Sequence, residues 1–249
     1  MNRRTFIQKT TLVTALGVCF PFQLSALSNE ELKMWSETEL MGLTSRKLKG
    51  EDPLILTRKT LKAFNNMRIA AWEDGLVIKP VSSYRSYQRQ KDIFESKYDR
   101  FIKEGLAPSD ALEKIVEYST IPGTSRHHWG TDIDIIQGGV AVQGDVLLEE
   151  HFHTNGAFSE LQDWLTDHAS KYGFYVVYTN NENRKGFKYE PWHLSYKPES
   201  QKALERYLKL NVYESALQQS VQGLEYLDKR AKQRYLHEQI LDINPAVLP

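Results

Sequence analysis

The chain has 249 residues, of which 41% are hydrophobic, 11% aromatic and 26% charged, a composition that can fill a core and excludes an intrinsically disordered protein. Its 32 basic residues are balanced by 32 acidic ones, so no net field gathers a polyanion and nucleic acid is not an expected partner. With Cys19 as its single cysteine, it can form neither an intrachain disulfide nor a thiolate cluster, which leaves His, Asp and Glu as metal ligands.

In chain order, residues 1–28 carry Arg3, Arg4 and Lys9 and no acid, then an apolar run from Leu12 to Phe22, then Ala26-Leu27-Ser28. This order reads as a secretory signal peptide, and Arg-Arg-x-Phe-Ile fits a twin-arginine leader. The apolar run is shorter than the roughly 20 residues a permanent span requires. An exported protein of the periplasm or cell envelope, with no permanent membrane span, is the expectation.

Leu61, Phe64, Met67 and Ala71 recur at helical spacing and stop at Gly75, a natural helix end. Leu76-Val77-Ile78 begins a strand that runs into Pro80-Val81-Ser82-Ser83-Tyr84-Arg85. Helices are predicted over 88–103 and 109–118. From Thr131 to Ile136 the pattern alternates, with Ile133 and Ile135 on one face and Asp132 and Asp134 on the other, as in a half-buried strand. A helix over 158–172 ends at Gly173, Phe174–Tyr178 and Glu190–Tyr196 read as strands, and an apolar helical stripe from Leu217 to Tyr235 is expected to pack on its own domain, with a partner-binding helix as the alternative.

Helices before and between short strands predict an α+β fold with a small, mostly antiparallel sheet. The expected division is a signal over 1–28, one domain over 29–210 and a helical C-terminal extension over 211–249.

Chemistry concentrates in Ser125-Arg126-His127-His128-Trp129-Gly130-Thr131-Asp132-Ile133-Asp134. A Gly-permitted turn can aim an imidazole and a carboxylate at one point. A catalytic zinc site needs a third protein ligand, and Glu190-Pro191-Trp192-His193 can supply it, with His193 ligating and Glu190 taking the proton. The alternative is a hydrogen-bonded pair of surface loops.

Ser125-x-His127-x-x-Gly130-x-Asp132-x-Asp134, followed by Glu190-Pro-Trp-His193, resembles the two-part signature of VanY-type D-alanyl-D-alanine carboxypeptidases, which share their fold with lysostaphin-like and hedgehog-like zinc domains. The likeness spans about residues 55–197 and includes Ser83-Tyr84-Arg85-Ser86, Gln90 and Tyr172-Gly173-Phe174. It implies one zinc ion held by His127, Asp134 and His193, Glu190 as the catalytic base, and Arg85 gripping a terminal carboxylate through two parallel hydrogen bonds. Tyr84, Gln90 and Ser125 are further expected substrate contacts. The implied activity is removal of the terminal D-alanine from peptidoglycan stem peptides by attack of zinc-bound water, with D,D- or L,D-specificity. An endopeptidase of the same fold is the alternative, and a wall-binding module without catalysis a further one.

Two positions depart from the family pattern: Asp132 stands where alanine is usual, and Ser195 where many relatives carry arginine. Asp132 is expected to accept a hydrogen bond from a ligand imidazole. His128 is assigned to the rim or to the layer behind the ligands, because adjacent side chains in an extended segment point apart. Trp129 is expected in the wall of the substrate pocket and Trp192 in the core.

Overall fold

The computed structural model describes residues 34–249, so the expected export signal over 1–28 lies outside the described residues. Helix α1 (Glu37–Leu40) opens with a capping box, in which Ser36 and Glu39 satisfy each other's backbone N–H groups. A two-stranded hairpin follows, β1 (Leu48–Glu51) with β2 (Leu54–Thr57), where the sequence showed no strand pattern. Helix α2 (Arg58–Glu73) buries Phe64, Met67 and Ala71 along the stripe expected of them.

The central sheet takes β3 (Ile78–Ser82), then after α3 (Tyr87–Lys103) and α4 (Pro108–Ile115) it takes β4 (Asp132–Gln137). After α5 (Ser159–His168) come β5 (Phe174–Val176) and β6 (His193–Tyr196). The four strands lie in the order β3-β4-β6-β5, every pair antiparallel. Pro80 is tolerated because β3 is an edge strand. Strand β6 begins at His193 and not at Glu190, since the His193 N–H turns back to the Glu190 carbonyl and Pro191 has no N–H to give a ladder.

Two apolar clusters flank this sheet. Ile133, Ile135 and Leu194 pack with Phe64, Met67, Phe158 and Leu161 in one of them. Asp132 and Asp134, one residue out of phase, are turned to the opposite face. The second cluster joins α1, α3 and α4 to the C-terminal helices α6 (Lys197–Lys209), α7 (Val212–Leu217) and α8 (Lys229–Tyr235). Residues on both sides of position 210 therefore share one core.

The single helical stripe expected from Leu217 to Tyr235 is not formed. Helix α7 ends at Leu217, Gly223 adopts φ 89°, and Asp228 caps a new helix by accepting from the Ala231 N–H at 2.7 Å. A side chain at Gly223 would meet the Tyr98 ring at 2.6 Å, so the chain turns there, yet Val221, Leu224 and Tyr235 are still buried. Among the described residues, no helix is long and apolar enough to cross a membrane.

Candidate active site

The site is assembled on β4, β6 and the turn that precedes β4. Ser125 Oγ accepts from the His127 N–H at 3.3 Å and so caps the 3-10 turn Arg126–Trp129, after which Gly130, at φ 69°, directs the chain into the sheet. Asp134 on β4 pairs across the ladder with His193 on β6. Donor atoms of His127, Asp134 and His193 all lie within 4.8 Å of one another, and all three residues are buried. The two imidazole rings are 4.7 Å apart.

His127 commits one ring nitrogen to the protein, and His193 faces carboxylates with both. His127 Nδ1 lies 2.7 Å from the Ser83 carbonyl, so it carries the proton and leaves Nε2, 3.4 Å from Asp134 Oδ2, with its lone pair. Ser83 is itself held by the hairpin, accepting from the Ile55 N–H and donating to the Pro53 carbonyl, both at 2.7 Å. His193 Nε2 lies 3.3 Å from Asp132 Oδ1. Its Nδ1 faces Glu190 Oε2 at 3.0 Å and Asp134 Oδ1 at 3.9 Å. Asp134 Oδ1 is buried without a hydrogen-bond partner, an uncompensated cost that a cation would remove. Two imidazole nitrogens and a carboxylate oxygen suit zinc, so the residues present fit that ion.

Charge organises the site as strongly as geometry does. Burial alone would raise the Asp132 carboxyl, but the Arg126 guanidinium and the hydrogen bonds from His193 and Thr131 hold it well below the usual carboxylate range. Burial works against Asp134 in the same way and is outweighed by His127, His193 and Arg85. Burial disfavours a charged His193, yet its bonds to Asp132 and Glu190 and the nearby carboxylates push it up to about 10. A metal ion must displace that proton.

A cavity of about 540 Å³ opens onto these groups and is lined by Arg85, Ser125, Glu190 and Trp192 as well as His127, Asp134 and His193. Arg85 Nη1 donates to Gln90 Oε1 at 2.7 Å and Nη2 to Ser82 Oγ at 3.2 Å, with Asp134 Oδ2 at 3.9 Å. Gln90 is fully buried and donates in turn to the Thr120 carbonyl, so it supports Arg85 from behind and does not line the cavity. Tyr84, half-buried, also lies outside the lining. Lys97, which donates to Ser119, and Tyr178, whose ring stands nearly perpendicular to that of His193 with centroids 5.2 Å apart, do line it. Neither was singled out in the sequence, because a lone Lys in a helix and a Tyr in an apolar strand carry no local signal.

The structure narrows the expectations for His128 and Trp192 and overturns the one for Trp129. His128 does not sit in an extended segment but in the 3-10 turn. It is buried, its Nδ1–H donates to the Arg85 carbonyl at 2.6 Å and its Nε2 accepts from the Gly123 N–H at 3.1 Å. Burial lowers it to about 3, so it is a neutral brace behind Arg85 and is absent from the rim. Trp129 is core and not cavity wall, 1% exposed with its Nε1 donating to the Leu40 carbonyl. Trp192 is both, packed in the core and lining the cavity.

The profile of the VanY D-alanyl-D-alanine carboxypeptidases matches residues 54–199, the stretch that holds all of these groups. The chain belongs to the VanY family. It is 34% identical over 148 residues to the Bacillus subtilis protein YodJ, assigned as a carboxypeptidase, covering 57% of this chain and 46% of that one. It is 27% identical over 128 residues to an Enterococcus faecalis D-alanyl-D-alanine carboxypeptidase, covering 51% and 42%. The chain thus spans less than half the length of either relative. Among solved structures, VanYB in complex with D-alanine-D-alanine superposes with a TM-score of 0.51 at 20% identity, covering 71% of this chain and 91% of that chain. A Zn(II)-bound VanY D,D-pentapeptidase from a VanB-type resistance cassette gives 0.50 at 22%, covering 73% and 89%. These likenesses establish the hedgehog and D-Ala-D-Ala peptidase fold. Asp132 and Ser195 are cross-strand neighbours, and Arg126 reaches both, at 2.8 Å and 2.7 Å.

Proposed function

We propose that the protein is an exported zinc carboxypeptidase that removes the terminal D-alanine from peptidoglycan stem peptides. The observation that carries this reading is the convergence of donor atoms of His127, Asp134 and His193, with Asp134 Oδ1 unpartnered, beside Glu190 and Arg85 in one cavity. The complexes of the two VanY structures, one with D-alanine-D-alanine and one with zinc, support it. Export rests on the basic and apolar pattern of residues 1–28, and the working division is a peptidase domain over 29–210 with a helical extension over 211–249.

His127, Asp134 and His193 would hold one zinc ion, which when bound polarises a carbonyl and makes water acidic enough to ionise near neutral pH. Arg85 takes the terminal carboxylate and so sets register from the free C-terminus. Ser125, at the mouth of the ligand turn, faces the same cavity. Glu190 accepts a proton as water oxygen bonds to the carbonyl carbon, and returns it to the amide nitrogen as the C–N bond breaks. The products are a peptide one residue shorter and free D-alanine. Glu190 is oriented for this by its backbone N–H, which donates to the Tyr178 carbonyl at 3.0 Å.

The test incubates the purified chain with a stem pentapeptide ending in D-Ala-D-Ala and with the corresponding tetrapeptide, with and without chelator, and reads products by mass. Loss of a single alanine, abolished by chelator and restored by zinc, is expected. Larger fragments would establish the endopeptidase instead, and no hydrolysis would refute both.

A further inference from the structure

Behind the ligands lies a buried charge pair that the proposed chemistry does not use. Asp132 has no solvent exposure and Arg126 is 4% exposed. Arg126 Nε donates to Asp132 Oδ1 at 2.8 Å and Nη2 to Ser195 Oγ at 2.7 Å, while Thr131 Oγ1 donates to Asp132 Oδ2 at 2.6 Å. The same Asp132 Oδ1 lies 3.3 Å from His193 Nε2. Both Asp132 oxygens are therefore occupied, one by a guanidinium and an imidazole, the other by a hydroxyl.

This matters because the site holds three carboxylates, Asp132, Asp134 and Glu190, around one imidazole. An aspartate two residues from a ligand, on the same strand face, is chemically able to ligate in its place. It could also leave His193 to swing and offer either nitrogen. The guanidinium answers both hazards at once, since it holds the carboxylate in place and neutralises its charge at a position where Asp132 has no solvent exposure.

We propose that Arg126 and Asp132 are positioning residues of the metal centre. The clamp makes Asp132 the acceptor for His193 Nε2–H, so that Nδ1 is the nitrogen presented to the ion, and it keeps Asp132 out of the ligand set. The inference rests on the zinc reading above. It brings in Arg126, which the sequence did not single out, and fixes which imidazole nitrogen Asp132 takes.

The test measures the zinc dissociation constant of the purified chain by competition with a chromophoric chelator. The absorption spectrum of the cobalt-loaded protein adds a report on ligand number and type, independent of turnover. Asp132→Asn keeps the shape but weakens the acceptor, and zinc binding is expected to weaken about 10- to 100-fold. Arg126→Gln frees the carboxylate, and the cobalt spectrum is expected to shift toward higher coordination as Asp132 joins the ligands. Because either single change unbalances a buried charge and can cost folding, Arg126→Met with Asp132→Ala removes both charges together. This double variant is expected to show native circular dichroism, zinc binding weakened by about the factor seen for Asp132→Asn, and no added carboxylate in the cobalt spectrum. Wild-type zinc affinity and an unchanged cobalt spectrum in Asp132→Asn and in the double variant would overturn the proposal while leaving the zinc reading intact. A wild-type chain that binds no zinc would overturn both.

Discussion

Arg85 offers the sharpest distinction between an exopeptidase and a general peptidase. Its guanidinium carries five N–H donors, of which one goes to Gln90 and one to Ser82, leaving enough for a two-point grip on a carboxylate. A hydrogen bond to a charged group contributes about 1.5–3 kcal/mol, so two of them amount to about 3–6 kcal/mol, or a factor of roughly 10² to 10⁴ in kcat/KM. The assay compares a D-Ala-D-Ala-terminated peptide with its C-terminal amide, using wild type and Arg85→Gln. Wild type is expected to prefer the acid by that factor and the variant to treat the two alike, with zinc content unchanged in both. A variant that slows acid and amide equally would refute the grip and reduce Arg85 to a brace for the ligand turn.

Glu190→Gln should lower kcat by about 10² to 10⁴ while metal analysis finds zinc still bound; activity within tenfold of wild type would remove Glu190 from proton transfer. His193 keeps its proton up to about pH 10 in the metal-free protein, so zinc must displace it at pH 7. Binding should then release about one proton per ion and tighten about tenfold per unit between pH 7 and pH 9, which calorimetry in buffers of differing ionisation enthalpy would check against a flat profile. Gly130→Ala forces a side chain into the left-handed region with its Cβ 2.6 Å from Leu48 Cδ2. A loss of about 1–2 kcal/mol, seen as a fall of a few degrees in Tm, is expected, and an unchanged Tm would argue that the turn relaxes freely.

Much of the architecture was legible because local patterns carried it. The alternation through Asp132, Ile133, Asp134 and Ile135 put acids and aliphatics on opposite faces of β4 before any fold was known, and the stripe Phe64, Met67, Ala71 is the buried side of α2. The hairpin was invisible for the converse reason. Strand β1 is almost wholly exposed, so it has no apolar alternation, and its partner β2 is tied down by bonds to Ser83 and Gly130, far along the chain. The C-terminal stripe misled because periodicity reports which residues are buried and says nothing of a glycine turn that interrupts the helix between them.

Residue chemistry alone determined what kind of ion this protein can hold, since a chain with one cysteine must offer imidazole and carboxylate, and the spacing of His127, Asp134, Glu190 and His193 marked where. Which nitrogen each histidine presents was decided only by the fold, because the groups that accept the other N–H come from elsewhere: Ser83 for His127, and for His193 an aspartate 61 residues away. The same holds for Arg126, whose partners Asp132 and Ser195 become neighbours only when β4 and β6 pair. Hydrogen-bond direction depends on contacts between distant segments, and such contacts exist only in three dimensions.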